Sequence, residues 1–139
     1  MKWIVCFSGR KQTGFYRFFT KKTPKFTHCH VMRYDAEADV WIWLEYHSDG
    51  LRFRVEKSDN ANYMINVAME KFICIEIEAD KVKSNLPQFQ WPWLYCVTFC
   101  KHVVGINKWW ILTPYALYCE LLKRDGTEIF ISEKGESHG

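Results

Sequence analysis

The order of apolar patterns along the chain predicts an α+β fold, an antiparallel sheet packed against a cysteine-bearing helix. Three strand-like runs follow one another between residues 26 and 56, parted by short polar turns, which is the pattern of an antiparallel meander. A stretch over residues 94–104 has the length and content of a helix closed by Gly105. A second helix opens at Thr113-Pro114, a good cap and first-turn pair, and stops at Asp125-Gly126.

Taken in order, residues 2–7 form a short buried strand ended by Ser8-Gly9, and residues 14–20 a further extended segment before Pro24. Residues 26–34 and 40–46 pair as a hairpin around Asp35-Ala36-Glu37-Ala38-Asp39. Residues 51–56, after Ser48-Asp49-Gly50, place Leu51, Phe53 and Val55 on one face and Arg52, Arg54 and Glu56 on the other. Ser58-Asp59-Asn60 caps a short helix reaching about Met69. Residues 72–78 then alternate Ile73, Ile75 and Ile77 against Cys74, Glu76 and Glu78, as a half-buried strand does. Pro87 and Pro92 bracket a tryptophan-rich loop, and a last strand over 128–132 precedes a polar tail, 133–139, expected to be mobile. Residues 1–132 thus read as a single domain.

Composition narrows the function classes. With 139 residues, 48% hydrophobic and 17% aromatic, the chain is too apolar for disorder and rich enough in large side chains to leave an aromatic patch for a protein partner. The net charge of +3 is spread out, so no nucleic-acid partner is expected. The densest basic stretch alternates Arg10, Lys11, Arg17, Lys21, Lys22 and Lys25 with Phe15, Tyr16, Phe18 and Phe19; it reads equally as a single-strand binding surface or as a solvated strand edge. No membrane span and no secretory leader are expected, which points to the cytoplasm. The six cysteines, at 6, 29, 74, 96, 100 and 119, sit in apolar runs and read mostly as reduced core residues.

One of them has a position suited to chemistry. A thiol is nucleophilic as thiolate, and a helix N-terminus favours the thiolate through unpaired N–H groups and the positive dipole end. Cys96 sits at such a place, behind the loop Trp91-Pro92-Trp93, which would wall a cleft; Cys100 is one turn further on, deeper in the helix, and is the alternative nucleophile. Paired with an imidazole, Cys96 is expected to have a pKa well below about 8.5. Such a cysteine needs an imidazole base and a polar group to orient the ring. His28 and His30 share one face of a strand, and Glu45 and His47 share one face near the end of the next.

The order of these residues carries a resemblance. Phe26-Thr27-His28-Cys29-His30-Val31, an adjacent strand ending in an acidic residue, then Tyr95-Cys96-Val97-Thr98-Phe99-Cys100 and Thr113-Pro114-Tyr115-Ala116-Leu117-Tyr118 resemble the circularly permuted NlpC-like hydrolases of the papain-like type, especially small phage-encoded members. The likeness spans residues 24–122. It implies Cys96 as nucleophile, His28 as base and Glu45 as the third polar residue, without a cofactor, acting on a peptidoglycan peptide, another amide or a lipid ester. A phage-type member would act in the cytoplasm or travel with the virion. His30 stays open as the alternative base, and Tyr95 stands where a small or polar residue commonly precedes the cysteine.

Two other readings compete. His28, Cys29, His30, Cys96, Cys100 and His102 are all metal-ligand types, but paired Cys-x-x-Cys knuckles are absent and His28 and Cys29 face opposite sides of a strand, so no metal is expected. The tryptophans at 91, 93, 109 and 110 suit packing or an interface, which leaves a catalytically inactive binding or assembly protein, such as a phage virion or tail component, as the alternative on the same fold.

Overall fold

The computed structural model describes residues 1–9, 26–79 and 95–129. Six strands, β1 (Lys2–Gly9), β2 (Phe26–Asp35), β3 (Val40–His47), β4 (Gly50–Lys57), β5 (Ile73–Glu78) and β6 (Thr127–Ile129), form one sheet in the order β4-β3-β2-β1-β5-β6. Each neighbouring pair is antiparallel. Three helices, α1 (Ser58–Lys71), α2 (Cys96–Val104) and α3 (Pro114–Lys123), complete the α+β fold.

Turn chemistry sets the meander. Asp35 Oδ1 accepts from the N–H groups of Glu37 and Ala38, and Asp39 takes a left-handed φ of 51°. That turn also fixes the start of α1. Ser58 donates its backbone N–H to the Asp39 carbonyl at 3.2 Å, and its hydroxyl lies beside the Asp39 carboxylate and helps hold it below the usual range. Ser58 is therefore committed to the turn and does not cap the helix; the cap position is Lys57, without a side-chain bond, and the helix runs to Lys71 rather than Met69.

The sheet is covered on both faces. On one, Val5, Phe7, Cys29, Val31, Ile75 and Ile77 pack against Val97, Cys100 and Val104 of α2 and Leu117 and Leu121 of α3. On the other, Ile4, Cys6, Met32 and Cys74 pack against Ala68 of α1, with Trp41, Trp43 and Phe72 around them. Residues 3–7 are buried without interruption because β1 has a core on each side. Each large side chain so buried contributes about 1.5–3 kcal/mol. Cys74 keeps the alternation expected of its strand, opposite Ile75 and Ile77, but its face is covered too: it lies in the second core, its thiol donating to Cys6 Sγ at 3.2 Å, while Glu78 stays exposed. The apolar face of β4 remains open, with Leu51, Phe53 and Val55 exposed.

Both helix stops expected at glycine are present. Gly105 ends α2 in the left-handed region at φ 77°, and Ile106 N–H reaches back to the Lys101 carbonyl at 2.8 Å. Gly126 N–H bonds the Leu121 carbonyl after α3, and a Cβ there would meet Ile75 Cγ2 and Leu121 O at 2.7 Å, so only glycine fits. Thr113 caps α3, its Oγ1 accepting from Ala116 N–H at 3.1 Å. The extended segment at 14–20, the basic stretch of 10–25, the loop of Trp91 and Trp93, residues 130–132 and the tail 133–139 lie outside the described residues. No helix among the described residues is long and apolar enough to cross a membrane.

Candidate active site

Cys96 is the first residue of α2. The helix is held over the sheet by Val97, Cys100 and Val104, which are buried, while Cys96 itself is half-buried at the rim. Tyr95 precedes it in extended conformation and spends its hydroxyl on the Leu112 carbonyl at 2.8 Å. No side chain caps the helix among the described residues, so first-turn N–H groups beside the sulfur remain open.

Two irregularities in β2 bring a strand histidine to that sulfur. Against β1, the register shifts between Ser8 and Gly9: Ser8 faces His28 but Gly9 faces Phe26. This bulge turns Phe26 into the α2-side core, its ring 5.1 Å from that of Phe7, and sits directly beside His28. Against β3, the ladder runs from Asp35 opposite Val40 to Val31 opposite Leu44 and stops, although both strands continue. His28 therefore lies where β2 is loosened on both edges, with Glu45 and His47 facing it from the free end of β3.

His28 Nε2 and Glu45 Oε1 are 3.0 Å apart, and His47 Nε2 stands 3.0 Å from the same oxygen. The His28 and His47 rings stack, centroids 5.0 Å apart. The Cys96 thiol lies beside the His28 ring and also meets the thiol and the backbone N–H of Cys29, the neighbour that points into the α2-side core. The three residues expected to act together, Cys96, His28 and Glu45, thus form a continuous chain of contacts.

His30 is placed elsewhere. It is buried, stacked on Trp43 with centroids 4.3 Å apart and edge-on to Phe72. Neither of its ring nitrogens has a hydrogen-bond partner among the described residues. Of the two strand histidines, His28 is the one that reaches Cys96. Cys100 is completely buried, and its thiol lies beside that of Cys29.

The electrostatics depart from expectation at the sulfur. The Cys29 thiol and burial push Cys96 up to about 12, and only His28 and the Cys29 backbone N–H pull it down. The expected depression of the Cys96 pKa is therefore reversed, because the neighbouring Cys29 thiol and burial outweigh the pull of His28 and the Cys29 N–H. The contact with Cys96 raises His28 above its ordinary value, aided by Glu45 and opposed by burial. Burial is the largest influence on Glu45 and pushes it up, but contact with His47 and the charges of His30, His47 and His28 outweigh it, leaving the carboxyl below its usual range. Burial drives His30 down to about 4.

Two participants have no catalytic assignment from the sequence. Cys29 is legible there as a core residue or a metal-ligand type, and its contact with Cys96 depends on where α2 crosses β2. His47 was visible as sharing a face with Glu45, and the structure brings it to the same carboxylate oxygen. Donor atoms of His28, Glu45 and His47 lie within 4.8 Å of one another, a trio of metal-ligand types different from the cysteine and histidine set considered in the sequence.

Comparison of the chain with protein-family models, with curated proteins and with solved structures gives no match.

Proposed function

We propose that the chain is a papain-like thiol hydrolase or acyltransferase with the permuted NlpC-like architecture, in which Cys96 attacks the carbonyl of an amide or ester, peptidoglycan peptides among the amides. The observation that carries the reading is the His28 ring, shared between the Cys96 thiol and the Glu45 carboxylate. With Nε2 held 3.0 Å from Glu45, Nδ1 is the ring nitrogen left to receive the proton. Because the thiol is pushed up to about 12, it rests neutral, and His28 acts as a general base during attack rather than as partner of a preformed thiolate.

The step then runs as follows. The Cys96 Sγ–carbon bond forms as the proton passes to His28, and the open N–H groups at the start of α2 face the oxyanion. The leaving amine or alkoxide takes that proton from His28. Water, in a hydrolase, or an acceptor nucleophile, in an acyltransferase, releases the acyl group and restores the thiol. Glu45, held ionised below the usual carboxyl range, steadies the imidazolium in between.

Alkylation of Cys96 with iodoacetamide, read by peptide mass, tests the reading through its dependence on His28. Because the thiol rests neutral, labelling is expected to rely on the histidine: His28→Ala should slow it, whereas Cys100→Ala should leave it unchanged. A Cys96 rate untouched by His28→Ala sinks the proposal.

A second reading, a binding or assembly protein on the same fold, is favoured by one feature. Trp109, Trp110 and Leu112, between α2 and α3, are 78%, 57% and 56% exposed, an apolar patch of the kind used for partners. A Cys96 labelling rate indifferent to His28→Ala selects this reading.

A further inference from the structure

The carboxylate that orients His28 also draws in a second imidazole, and the three donor atoms converge. Glu45 Oε1 is 3.0 Å from Nε2 of His28 and 3.0 Å from Nε2 of His47, with all three inside 4.8 Å. Two imidazoles and a carboxylate holding an ion at about 2.0–2.2 Å in a tetrahedral set stand about 3.4 Å from one another. The two rings would close on each other by at most about 1.4 Å to reach that spacing.

A second observation points to the same place. His47 Nε2 is buried, yet among the described residues it has no hydrogen-bond partner: its approach to Oε1 is close without being directed along an N–H bond. A buried ring nitrogen left in this way requires an explanation, and coordination of an ion shared with its two neighbours would supply one. The site is reachable, since the side chains of His28, Glu45 and His47 keep 24%, 23% and 32% exposure.

We propose that His28, Glu45 and His47 form a site for a divalent transition ion of the zinc type, and that the bound ion takes His28 away from Cys96. Imidazole with one carboxylate suits zinc and its neighbours, whereas magnesium and calcium favour oxygen donors throughout. The effect on the thiol follows from the ring's two nitrogens. Coordination at Nε2 uses that lone pair and leaves the neutral ring with its proton on Nδ1. In that tautomer Nδ1 is a donor and has no lone pair for the Cys96 proton. The ion would therefore silence the nucleophile without touching the sulfur. This consequence rests on the thiol reading; the site itself rests on the three donor atoms alone.

The experiment uses the full chain, freed of metal by a chelator and titrated with Co²⁺ as a visible probe and then with Zn²⁺. One equivalent is expected, with a nitrogen and oxygen coordination spectrum lacking a thiolate charge-transfer band. His47→Ala and Glu45→Gln should each weaken binding by at least the roughly 10-fold that even outer partners of a metal site are worth. Zn²⁺ should slow Cys96 alkylation, a chelator should restore it, and His47→Ala should remove the slowing relative to that variant's own metal-free rate. His47→Gln replaces His47→Ala if the latter loses the native circular-dichroism spectrum. Absence of one-equivalent binding overturns the proposal, as does an affinity indifferent to His47 and Glu45. A thiolate band that vanishes in Cys96→Ala overturns it too, by placing the ion on sulfur. If Cys96 is inert without metal, the thiol reading fails while the Co²⁺ titration still decides the site.

Discussion

His30 should make the fold acid-sensitive, and its contribution can be worked out. The ring is 1% exposed, wedged against Trp43 and Phe72, with neither nitrogen hydrogen-bonded among the described residues. Burial lowers its pKa from 6.5 to about 4; nearby Glu45 pulls it upward, while His28 and His47 add to the depression. The folded value lies below the unfolded one, so neutral His30 supports folding above about pH 6.5, and that support is lost as pH falls through 6.5 toward 4. At about 1.4 kcal/mol per pH unit, the full gap is worth about 3.5 kcal/mol, of which about 2.5 kcal/mol is gone by pH 4.5. His30→Phe keeps an aromatic ring on Trp43 and removes the titration. Urea unfolding of both proteins, followed by tryptophan fluorescence and far-UV circular dichroism at about pH 7, 5.5 and 4.5, should show the wild type losing about 2–3 kcal/mol more than the variant. Any cost of fitting phenylalanine is an offset common to all pH values, and the lowered carboxyls of Asp35, Asp39 and Glu120 are shared by both chains and cancel. Parallel loss in the two proteins would refute the reasoning.

Two further outcomes follow from named contacts. Cys29→Ala removes the largest influence holding Cys96 up at about 12, so alkylation of Cys96 followed against pH should shift to lower pH by about one unit or more, a tenfold gain in thiolate per unit; an unmoved profile counts against Cys29 as the cause. Lys101, buried on α2, donates Nζ to the carbonyls of Lys108 at 2.7 Å and Ile111 at 3.0 Å, so Lys101→Met should cost about 2–4 kcal/mol in urea unfolding, and a loss under about 1 kcal/mol would show that the segment after α2 holds itself.

The parts of the fold that were legible in the sequence are those written in local chemistry. Alternation between 26 and 56 and the Asp35 and Gly50 turns sufficed for the meander, and Gly105, Thr113 and Gly126 marked helix ends by requirements confined to a few residues. What escaped depends on contacts distant in sequence. Ser58 fits a cap by type, but Asp39, 19 residues earlier, claims it. Cys74 alternates with glutamates, yet β1 brings Cys6 to it and turns that position into core. At the site, the residue types and their strand faces were readable. The upward shift of Cys96 was not, since it requires knowing that α2 sets the sulfur on Cys29 as well as on His28.

The strand alternation itself raises a difficulty that the sheet resolves. Cys29 and Val31 point to the α2 side, and His30 and Met32 to the α1 side, so by parity His28 belongs with His30, on the face away from Cys96. Inside a regular ladder the two could not meet, because the backbone of a flanking strand would stand between them. His28 sits where that barrier is missing: the bulge opposite Ser8 and Gly9 re-aims the chain on one edge, and on the other β3 has left the ladder after Leu44. The same departure frees Glu45 and His47 from a fixed partner strand on the β2 side, so both can turn toward the ring. A slip of one residue in β2 would exchange His28 with Cys29, presenting a thiol to Glu45 and driving an imidazole into the core beneath α2. The bulge therefore does more than end a strand. It fixes the register that keeps the imidazole at the rim, where one side reaches the sulfur and the other the carboxylate.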